Sequence, residues 1–307
     1  MGKKIVHFIL PYITWNMDAN ADPADTLIGI TLANTSEQQG EMDTVSTLSI
    51  PKLPVSVASH KMHATEMVAT STLQESKIPA HKKIFQTHKS IEYIKSKPKL
   101  ANALYSWIKQ RSRDFNYNFF DNVACEIFMR EHYSGSVYEA YRKLPMAVMR
   151  ADLWRYCVIY HFGGIYSDAD TICRVNPNIF INEALLTCSP ELGNNYFCQW
   201  TFSAPAKSPI LKTIIDLCVE RILGAKEFKG EHIIHYMTGP ACFTDGIFKY
   251  IKENNLPFYE HVNQYQNYPS RILAVFNADN FHNKFIQHLY AGNDRDGWKR
   301  ERYRVLV

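Results

Sequence analysis

The sequence predicts an α/β fold, and two observations indicate it. Strand-like and helix-like segments alternate along the chain from about residue 81, starting with a short apolar run at residues 84–87. A segment at residues 146–160 is apolar on nearly every side, and two glycines and a second strand-like run at residues 165–170 follow it. Such alternation is typical of a sheet covered by helices.

The first 75 residues predict a small α/β extension that precedes the main domain. An apolar stretch at residues 3–14 and a run rich in Val, Thr and Ser at residues 43–50 are strand-like, and residues 24–38 between them fit a short helix. A stretch rich in Pro, Ser, Thr and Met then resembles a connector. We therefore expect two units, residues 1–75 and residues 76–307.

The main domain begins with the strand at residues 84–87. A helical pattern at residues 101–111 follows it, then an aromatic strand at residues 115–120 and a helix at about residues 122–132. These segments have the strand–helix–strand order of a parallel unit.

The apolar segment after Pro145 predicts a buried helix. Proline fits the first turn of a helix, and Gly163 or Gly164 fits the position just beyond its end. Asp152 and Arg155 lie inside this segment at i and i+3, so they share one face. One interpretation is an ion pair within the core. A buried ion pair is a weak source of stability, however, and this favours a functional site.

Asp168 and Asp170 lie at the carboxyl end of the predicted strand at residues 165–170 and, two residues apart, would point the same way. Open α/β sheets bind their ligands at the carboxyl ends of strands. Two adjacent carboxylates repel each other, and Mg²⁺ or Mn²⁺, which prefers oxygen ligands and phosphates, would offset that repulsion. The three-residue pattern is common by chance. Its place after a buried helix, a Gly-Gly turn and a strand favours a metal site.

The composition limits the classes of partner and location. The 307 residues carry a net charge of +4, which is too small an excess to favour a nucleic-acid partner. The seven cysteines contain no C-x-x-C pair, which indicates reduced thiols in the cytoplasm rather than disulfides or a zinc site. No apolar run is long enough for a membrane span, and a secreted or lumenal location is the less favoured alternative.

The segment from Arg150 to Asp170 closely resembles the signature of the DXD sugar-binding glycosyltransferases. That group includes glycosyltransferase family 32, with the yeast initiating mannosyltransferase type, and more distantly the clostridial glucosylating toxins. Weaker matches occur in the expected order over about residues 78–300: Ile78-Pro79, Ile84, Gln86-Thr87, Tyr117, Phe119, Asp121, Thr238-Gly239-Pro240, His288 and Gly297-Trp298.

The resemblance implies a GT-A-type fold, in which a Rossmann-like sheet binds the nucleotide at its first strands. It also implies a Mn²⁺ or Mg²⁺ cofactor and transfer of a hexose from a UDP- or GDP-sugar to a glycan or protein acceptor, with retention of anomeric configuration. Carried onto this chain, Asp170 would be the direct metal ligand, and Asp168 would contact both the sugar or ribose and the metal shell. Asp152 and Arg155 would hold the transferred sugar, and His288 would complete the metal site.

The remaining residues implied by the resemblance concern the nucleotide. Gln86, Thr87 and His88 would form the nucleotide-binding turn, and Trp298 would cover the donor from a C-terminal loop. His88 stands where family members often have tryptophan, and an imidazole can still stack on a base. The spacing from Gly292 to Trp298 is longer than the compact Gly-Ser-Trp of the family.

Three alternative functions share parts of this pattern. A toxin-like enzyme that glycosylates a protein would bind the donor in the same way, and acceptor binding lies in variable loops. A non-catalytic nucleotide-sugar or glycan-binding protein could keep the same fold. A nucleotidyltransferase or phosphotransferase could use two aspartates, but those enzymes usually have a glycine-rich phosphate loop, and none is found in this sequence.

Overall fold

The computed structural model describes residues 82–110, 115–193, 195–293 and Lys299. The predicted N-terminal extension lies outside the described residues, so its structure and the boundary near residue 75 stay predictions. Within the described residues the predicted α/β class is confirmed, because a mixed sheet is covered by helices on both faces.

The strands form one large sheet and one small ribbon. In chain order they are β1 (Lys83–Thr87), β2 (Asn116–Phe120), β3 (Gly164–Ser167), β4 (Thr171–Cys173), β5 (Leu186–Cys188), β6 (Thr201–Ala204), β7 (Leu273–Val275) and β8 (Ile286–His288). The sheet order is β2-β1-β3-β6-β5-β7, and β4 pairs with β8 in the ribbon. The pairs β1–β2, β1–β3 and β5–β7 are parallel, whereas β6 is antiparallel to both neighbours. The parallel half agrees with the Rossmann-like, GT-A-type expectation.

The helices surround this sheet. They are α1 (Ile91–Lys95), α2 (Pro98–Ile108), α3 (Asn122–His132), α4 (Ser136–Lys143), α5 (Ala147–Phe162), α6 (Pro209–Gly224), α7 (Ile233–Met237), α8 (Pro240–Glu253) and the single turn α9 (Ala278–Asn280). Short 3₁₀ turns occur at Pro177–Phe180, Val262–Asn267 and Ala291–Asn293, and Phe281–Phe285 is a π-helical turn. The helix predicted at about residues 122–132 is α3, whose first turn is capped by the Asp121 carboxylate.

Helix α5 is the buried helix predicted from the sequence. Every side chain from Asp152 to Ile159 is buried, including the two ionisable ones. Alternate residues of β1 and β3 face opposite cores: Phe85 and Tyr166 contribute to the core around α5, while Ile84 and Ile165 contribute to the core around α2. The central strand is therefore buried on both faces, and its carboxyl end is rigidly held.

One sequence expectation about the central strand is wrong. The strand predicted at residues 165–170 ends at Ser167, and Asp168, Ala169 and Asp170 form a turn that leads into β4. Thr171 closes this turn because its backbone N–H and its hydroxyl both donate to the Asp168 carbonyl, at 3.1 and 2.6 Å. The aspartates are therefore positioned by hydrogen bonds within a turn rather than by strand alternation.

The two glycines between α5 and β3 have backbone conformations that side chains disfavour. Gly163 has φ of 66° and Gly164 has φ of 114°. A Cβ at residue 164 would lie 2.6 Å from the Lys83 carbonyl oxygen, because β3 passes close to β1 there. Glycine is required at this position by both conformation and space.

We expect Gly164→Ala to lower the free energy of unfolding by about 2–5 kcal/mol, the combined cost of backbone strain and overpacking. Urea unfolding measures this change. Gly224→Ala is the matched control, because no atom lies within 4 Å of the added Cβ. A Gly164→Ala protein that unfolds at the wild-type midpoint would contradict the proposed close approach.

Candidate active site

The turn that carries Asp168 and Asp170 is held from three sides. The Asp168 backbone N–H donates to the Trp200 carbonyl at 2.8 Å, and the Gln86 side-chain amide donates to the Asp168 carbonyl at 2.9 Å. Below the turn, the Trp107 indole N–H donates to the Thr171 hydroxyl at 3.0 Å. These bonds come from β1, α2 and the segment before β6, so the aspartates have a fixed place at the sheet edge.

His288 reaches the two aspartates through the β4–β8 ribbon. Thr171 pairs with His288 in that ribbon, which places the imidazole beside the turn. Its Nε2 lies 3.8 Å from Asp168 Oδ2 and 3.7 Å from Asp170 Oδ1. The backbone N–H of Ala291 donates to Asp170 Oδ2 at 2.8 Å, so the chain after β8 also contacts the turn.

The acidic side chains differ in their protonation preference. Burial raises the pKa of Asp170, and the neighbouring Asp168 charge adds to this, while His288 opposes it. Burial acts in the same direction on Asp168, but Arg155 and then His288 outweigh it, so the pKa of Asp168 is lowered. Asp168 is therefore stable as a carboxylate, whereas an ionised Asp170 lacks sufficient positive charge nearby.

The imidazole of His288 is oriented by the backbone. Burial lowers its pKa, but the nearby carboxylates of Asp168 and Asp170 outweigh this and raise it. The Tyr290 N–H donates to Nδ1 at 2.9 Å, so the proton of a neutral ring lies on Nε2, facing the carboxylates. Whether the imidazole is protonated or neutral, its Nε2–H therefore faces the carboxylates of Asp168 and Asp170.

Arg155 and Asp152 form a buried ion pair next to this turn. Their side chains are 5% and 2% exposed, and Arg155 Nη2 lies 2.9 Å from Asp152 Oδ1. The same nitrogen lies 3.4 Å from Asp168 Oδ1. Burial lowers the pKa of Arg155, but the charges of Asp168 and Asp152 raise it overall, so the guanidinium stays charged.

Both carboxylate oxygens of Asp152 have partners. The Gln199 side-chain amide donates to Oδ1 at 3.1 Å, and the Thr238 hydroxyl donates to Oδ2 at 2.9 Å. Gln199 Oε1 in turn accepts from Arg155 at 2.7 Å and from the Tyr156 hydroxyl at 3.1 Å. Burial still raises the pKa of Asp152. Together, the contacts with Asp152 and Gln199 hold the guanidinium of Arg155 next to Asp168.

Sequence reasoning missed two members of this site. Gln199 has no motif around it that marks it, since its role depends on side-chain contacts across the fold. The Tyr166 hydroxyl donates to Asp168 Oδ1 at 2.5 Å, and its ring lies 4.7 Å from the Arg155 guanidinium carbon. Tyr166 lies two residues before Asp168, so alternation along the strand is the signal that could have placed both side chains on one face.

A cavity of about 380 Å³ joins these residues. Its lining includes the predicted site residues Thr87, His88, Asp152, Arg155, Asp168, Asp170 and His288. His88 stacks on Tyr93 with ring centroids 5.0 Å apart, and Lys89 Nζ lies 3.4 Å from the centre of the same ring. The aromatic and basic side chains after β1 therefore share one wall of the cavity.

Two predicted nucleotide-binding residues differ from this set. Gln86 is fully buried and does not line the cavity; its amide positions the Asp168 turn, and its carbonyl accepts from the Tyr117 hydroxyl at 2.9 Å. Gln86 is near the end of β1, and its side chain contacts the neighbouring strand and the Asp168 turn instead of the cavity. Trp298 lies outside the described residues, so its predicted role over the donor stays a prediction.

Comparison with known proteins identifies the segment that contains this site. Residues 74–186 match the family model described as a glycosyltransferase sugar-binding region containing the DXD motif. This stretch of the chain is therefore similar to the DXD sugar-binding regions of glycosyltransferases. The resemblance predicted from residues 150–170 is thereby confirmed.

Two mannosyltransferases are similar to part of this chain. An initiation-specific alpha-1,6-mannosyltransferase of Candida albicans is 28% identical over 214 residues, covering 58% of this chain and 54% of the relative. The protein of the same description from Schizosaccharomyces pombe is 31% identical over 143 residues, covering 39% and 36%. The chain thus spans about half or less of the length of these relatives.

Among solved structures, the PaToxG glycosyltransferase is similar with a TM-score of 0.42 and 16% identity. The match covers 57% of this chain and 70% of that one. In the part of the chain that the structure describes, no helix combines the length and apolar character needed to cross a bilayer.

We expect Arg155→Ala to lower the free energy of unfolding by about 3–5 kcal/mol, because it leaves the buried Asp152 carboxylate without its cation. Lys212→Ala is the control. It removes an exposed ion pair with an even shorter distance, 2.6 Å to Asp216, and such pairs contribute about 1 kcal/mol or less. Urea unfolding of both variants tests the difference. Equal effects would show that the burial of the Arg155 pair has no energetic consequence.

Proposed function

We propose that the chain is a metal-dependent glycosyltransferase that transfers a hexose from a nucleotide-diphosphate sugar to a glycan or protein acceptor. The observation that carries this proposal is the convergence of Asp168, Asp170 and His288 beside the Asp152–Arg155 pair in one cavity. We take mannose as the first sugar to test, because the matched relatives are named mannosyltransferases. Retention of configuration is proposed on the resemblance alone.

The three converging side chains fit a hard divalent cation. Each offers one ligand atom, and these atoms all lie within 4.8 Å of one another. Ligand bonds of about 2.0–2.2 Å place neighbouring ligands about 3 Å apart and opposite ligands about 4.2 Å apart. The distances of 3.7 and 3.8 Å from His288 Nε2 fall within these limits. When bound, the cation would neutralise charge that develops on the leaving diphosphate.

The protein residues have separate tasks in this proposal. Asp152, fixed by Thr238 and Gln199, accepts hydrogen bonds from sugar hydroxyls. Arg155 keeps Asp168 ionised and supplies fixed positive charge near the phosphates. Such pre-arranged charge stabilises a transition state without reorganisation at the moment of reaction.

His288 must change its hydrogen bonding to bind a cation. A lone pair is available at Nε2 only if the proton lies on Nδ1, and Nδ1 now accepts from the Tyr290 N–H. The Tyr290 peptide therefore gives up this bond. Tyr290 has φ of 54°, an uncommon conformation in a residue other than glycine, and it directs the N–H toward the imidazole.

Location is a further proposal. We favour the cytoplasm because all seven cysteines are free and buried, as expected of a reducing compartment.

A donor assay tests the activity. Purified protein with Mn²⁺ is incubated with UDP- and GDP-sugars, GDP-mannose among them, and released nucleotide is followed with and without EDTA. We expect one donor to be consumed and EDTA to stop the reaction. Asp170→Asn should lower turnover at least about 100-fold, because loss of a metal ligand removes several kcal/mol of charge stabilisation. The anomer of the product, read by NMR, tests retention.

Stability separates this effect from misfolding. Without added metal, Asp170→Asn should be no less stable than wild type, since burial already disfavours the charged form of Asp170. Asp216→Asn, at an exposed carboxylate on α6, is the activity control. Full activity in Asp170→Asn would rule out the site, and no metal-dependent donor use by the wild type would favour a binding protein.

We expect the affinity for Mn²⁺ to fall as the pH is lowered through the raised pKa of His288. Below that pKa the ring is protonated, and the cation must displace a proton, which costs about tenfold in affinity per pH unit. Electron paramagnetic resonance of free Mn²⁺, on both sides of the ordinary histidine value of about 6.5, measures this. His288→Gln should have a shallower dependence. If the Mn²⁺ affinity of His288→Gln depends on pH as steeply as that of the wild type, the proton that competes with the cation is bound by another group.

A further inference from the structure

A second cluster of ligand-type side chains lies next to the proposed active site. Glu191, Cys198 and His282 each offer one ligand atom, and the three atoms lie within 4.8 Å of one another. They come from two separate parts of the chain. Glu191 and Cys198 flank the isolated bridge between Pro190 and Phe197, and His282 lies in the π-helical turn Phe281–Phe285.

We propose that Glu191, Cys198 and His282 bind a zinc ion, separately from the cation site at Asp168, Asp170 and His288. Thiolate, imidazole and carboxylate are the three ligand types that zinc takes in proteins. The thiolate distinguishes this set from the aspartate pair, since oxygen ligands suit Mg²⁺ and Mn²⁺.

The distance between sulfur and nitrogen fits tetrahedral zinc. Cys198 Sγ lies 3.6 Å from His282 Nε2. A zinc–sulfur bond of about 2.3 Å and a zinc–nitrogen bond of about 2.0–2.1 Å, at a tetrahedral angle, give a separation of about 3.6 Å. The two side chains therefore need almost no movement relative to each other to bind one ion.

A backbone oxygen shows that this position is polar. The Pro190 carbonyl oxygen lies 2.9 Å from His282 Nε2 and 3.3 Å from Cys198 Sγ. Although Cys198 is fully buried, its sulfur faces these polar atoms, which distinguishes it from a cysteine that only fills apolar space. The Pro190 carbonyl is within hydrogen-bonding distance of both the thiol and the imidazole, and zinc would take the place of the protons on these two groups.

Charge and proton balance are consistent with zinc. Binding releases the thiol proton of Cys198 to solvent, and the imidazole binds as the tautomer with its proton on Nδ1. The thiolate and the Glu191 carboxylate together offset the two positive charges of the ion. Glu191 also lines the cavity of about 380 Å³, so an ion has a route from solvent to the cluster.

The zinc site would be coupled to the proposed catalytic residues through Trp200. Its indole N–H donates to Glu191 Oε1 at 3.0 Å, and its ring lies 4.8 Å from the His288 ring. Its carbonyl accepts from Asp168 N–H. Occupancy of one cluster is therefore transmitted to the other by a single packed side chain.

Cobalt is the probe that tests this proposal, because a Co²⁺–thiolate bond gives a near-ultraviolet charge-transfer band. Metal-free protein is titrated with Co²⁺ in excess Mg²⁺, which suits the aspartate pair. We expect a saturable band at one Co²⁺ per chain, displaced by Zn²⁺. The readout does not depend on sugar transfer, so its failure is distinct from failure of the proposed activity.

Variants identify the ligands. Cys198→Ser should abolish the band, His282→Gln should weaken Co²⁺ binding at least about tenfold, and Asp170→Asn and the buried Cys173→Ser should keep it. Circular dichroism checks that each variant is folded. If Cys198→Ser does not fold, His282→Gln still decides. No band in the wild type, a band that survives in Cys198→Ser, or an unchanged Co²⁺ affinity in His282→Gln would overturn the proposal.

Discussion

The charge balance of the site depends on one buried guanidinium. Arg155 contacts Asp152 and Asp168 with the same nitrogen, and it also donates to Gln199 and lies against the Tyr166 ring. Three carboxylates, those of Asp152, Asp168 and Asp170, would otherwise lie close together in a poorly solvated place. One guanidinium favours the charged form of the first two, although burial still raises the pKa of Asp152, and it leaves the third without a full partner. That remaining deficit of positive charge is the physical reason why this place favours a cation.

The fold supplies this arrangement by joining two kinds of sheet. Strand β3 is held between the parallel β1 and the antiparallel β6, and the two glycines at the junction of α5 and β3 provide the positive φ values of the turn. The small β4–β8 ribbon then brings a residue from far along the chain to the same turn. A rigid sheet edge therefore carries the carboxylates, while the imidazole comes from a ribbon whose following segment contacts Asp170 through Ala291. Positioning by different elements allows the imidazole side to adjust while the carboxylates stay in place.

Local pattern explains what could be predicted from the sequence. Helix α5 and the adjacent glycines follow from apolar periodicity and helix punctuation, and the aspartate pair was recognisable because it follows them directly. The end of β3 at Ser167 could not be predicted in this way, since it depends on the Thr171 hydroxyl bonding back to Asp168 and on Trp107 from another helix. Gln86 was expected at the nucleotide but packs against the Asp168 turn, because its direction is set by neighbours that periodicity does not reveal. The absence of C-x-x-C spacing likewise concealed a cluster whose ligands meet only in the fold.

The two clusters around Trp200 differ in the property that sorts metals in proteins. Sites built from nitrogen and oxygen bind zinc more tightly than manganese when both are available, so Asp168, Asp170 and His288 alone would not keep zinc out. The neighbouring cluster adds the sulfur of Cys198, whose thiolate form zinc prefers to oxygen ligands, and Glu191 of that cluster lines the same cavity. Zinc that enters the cavity would therefore meet a better set of ligands than the aspartate pair. Under these two proposals, a sulfur-containing site beside an oxygen-rich one would leave Asp168, Asp170 and His288 to Mn²⁺ or Mg²⁺, which phosphate oxygens also bind. Trp200 contacts both clusters, through its hydrogen bond to Glu191 and its ring contact with His288.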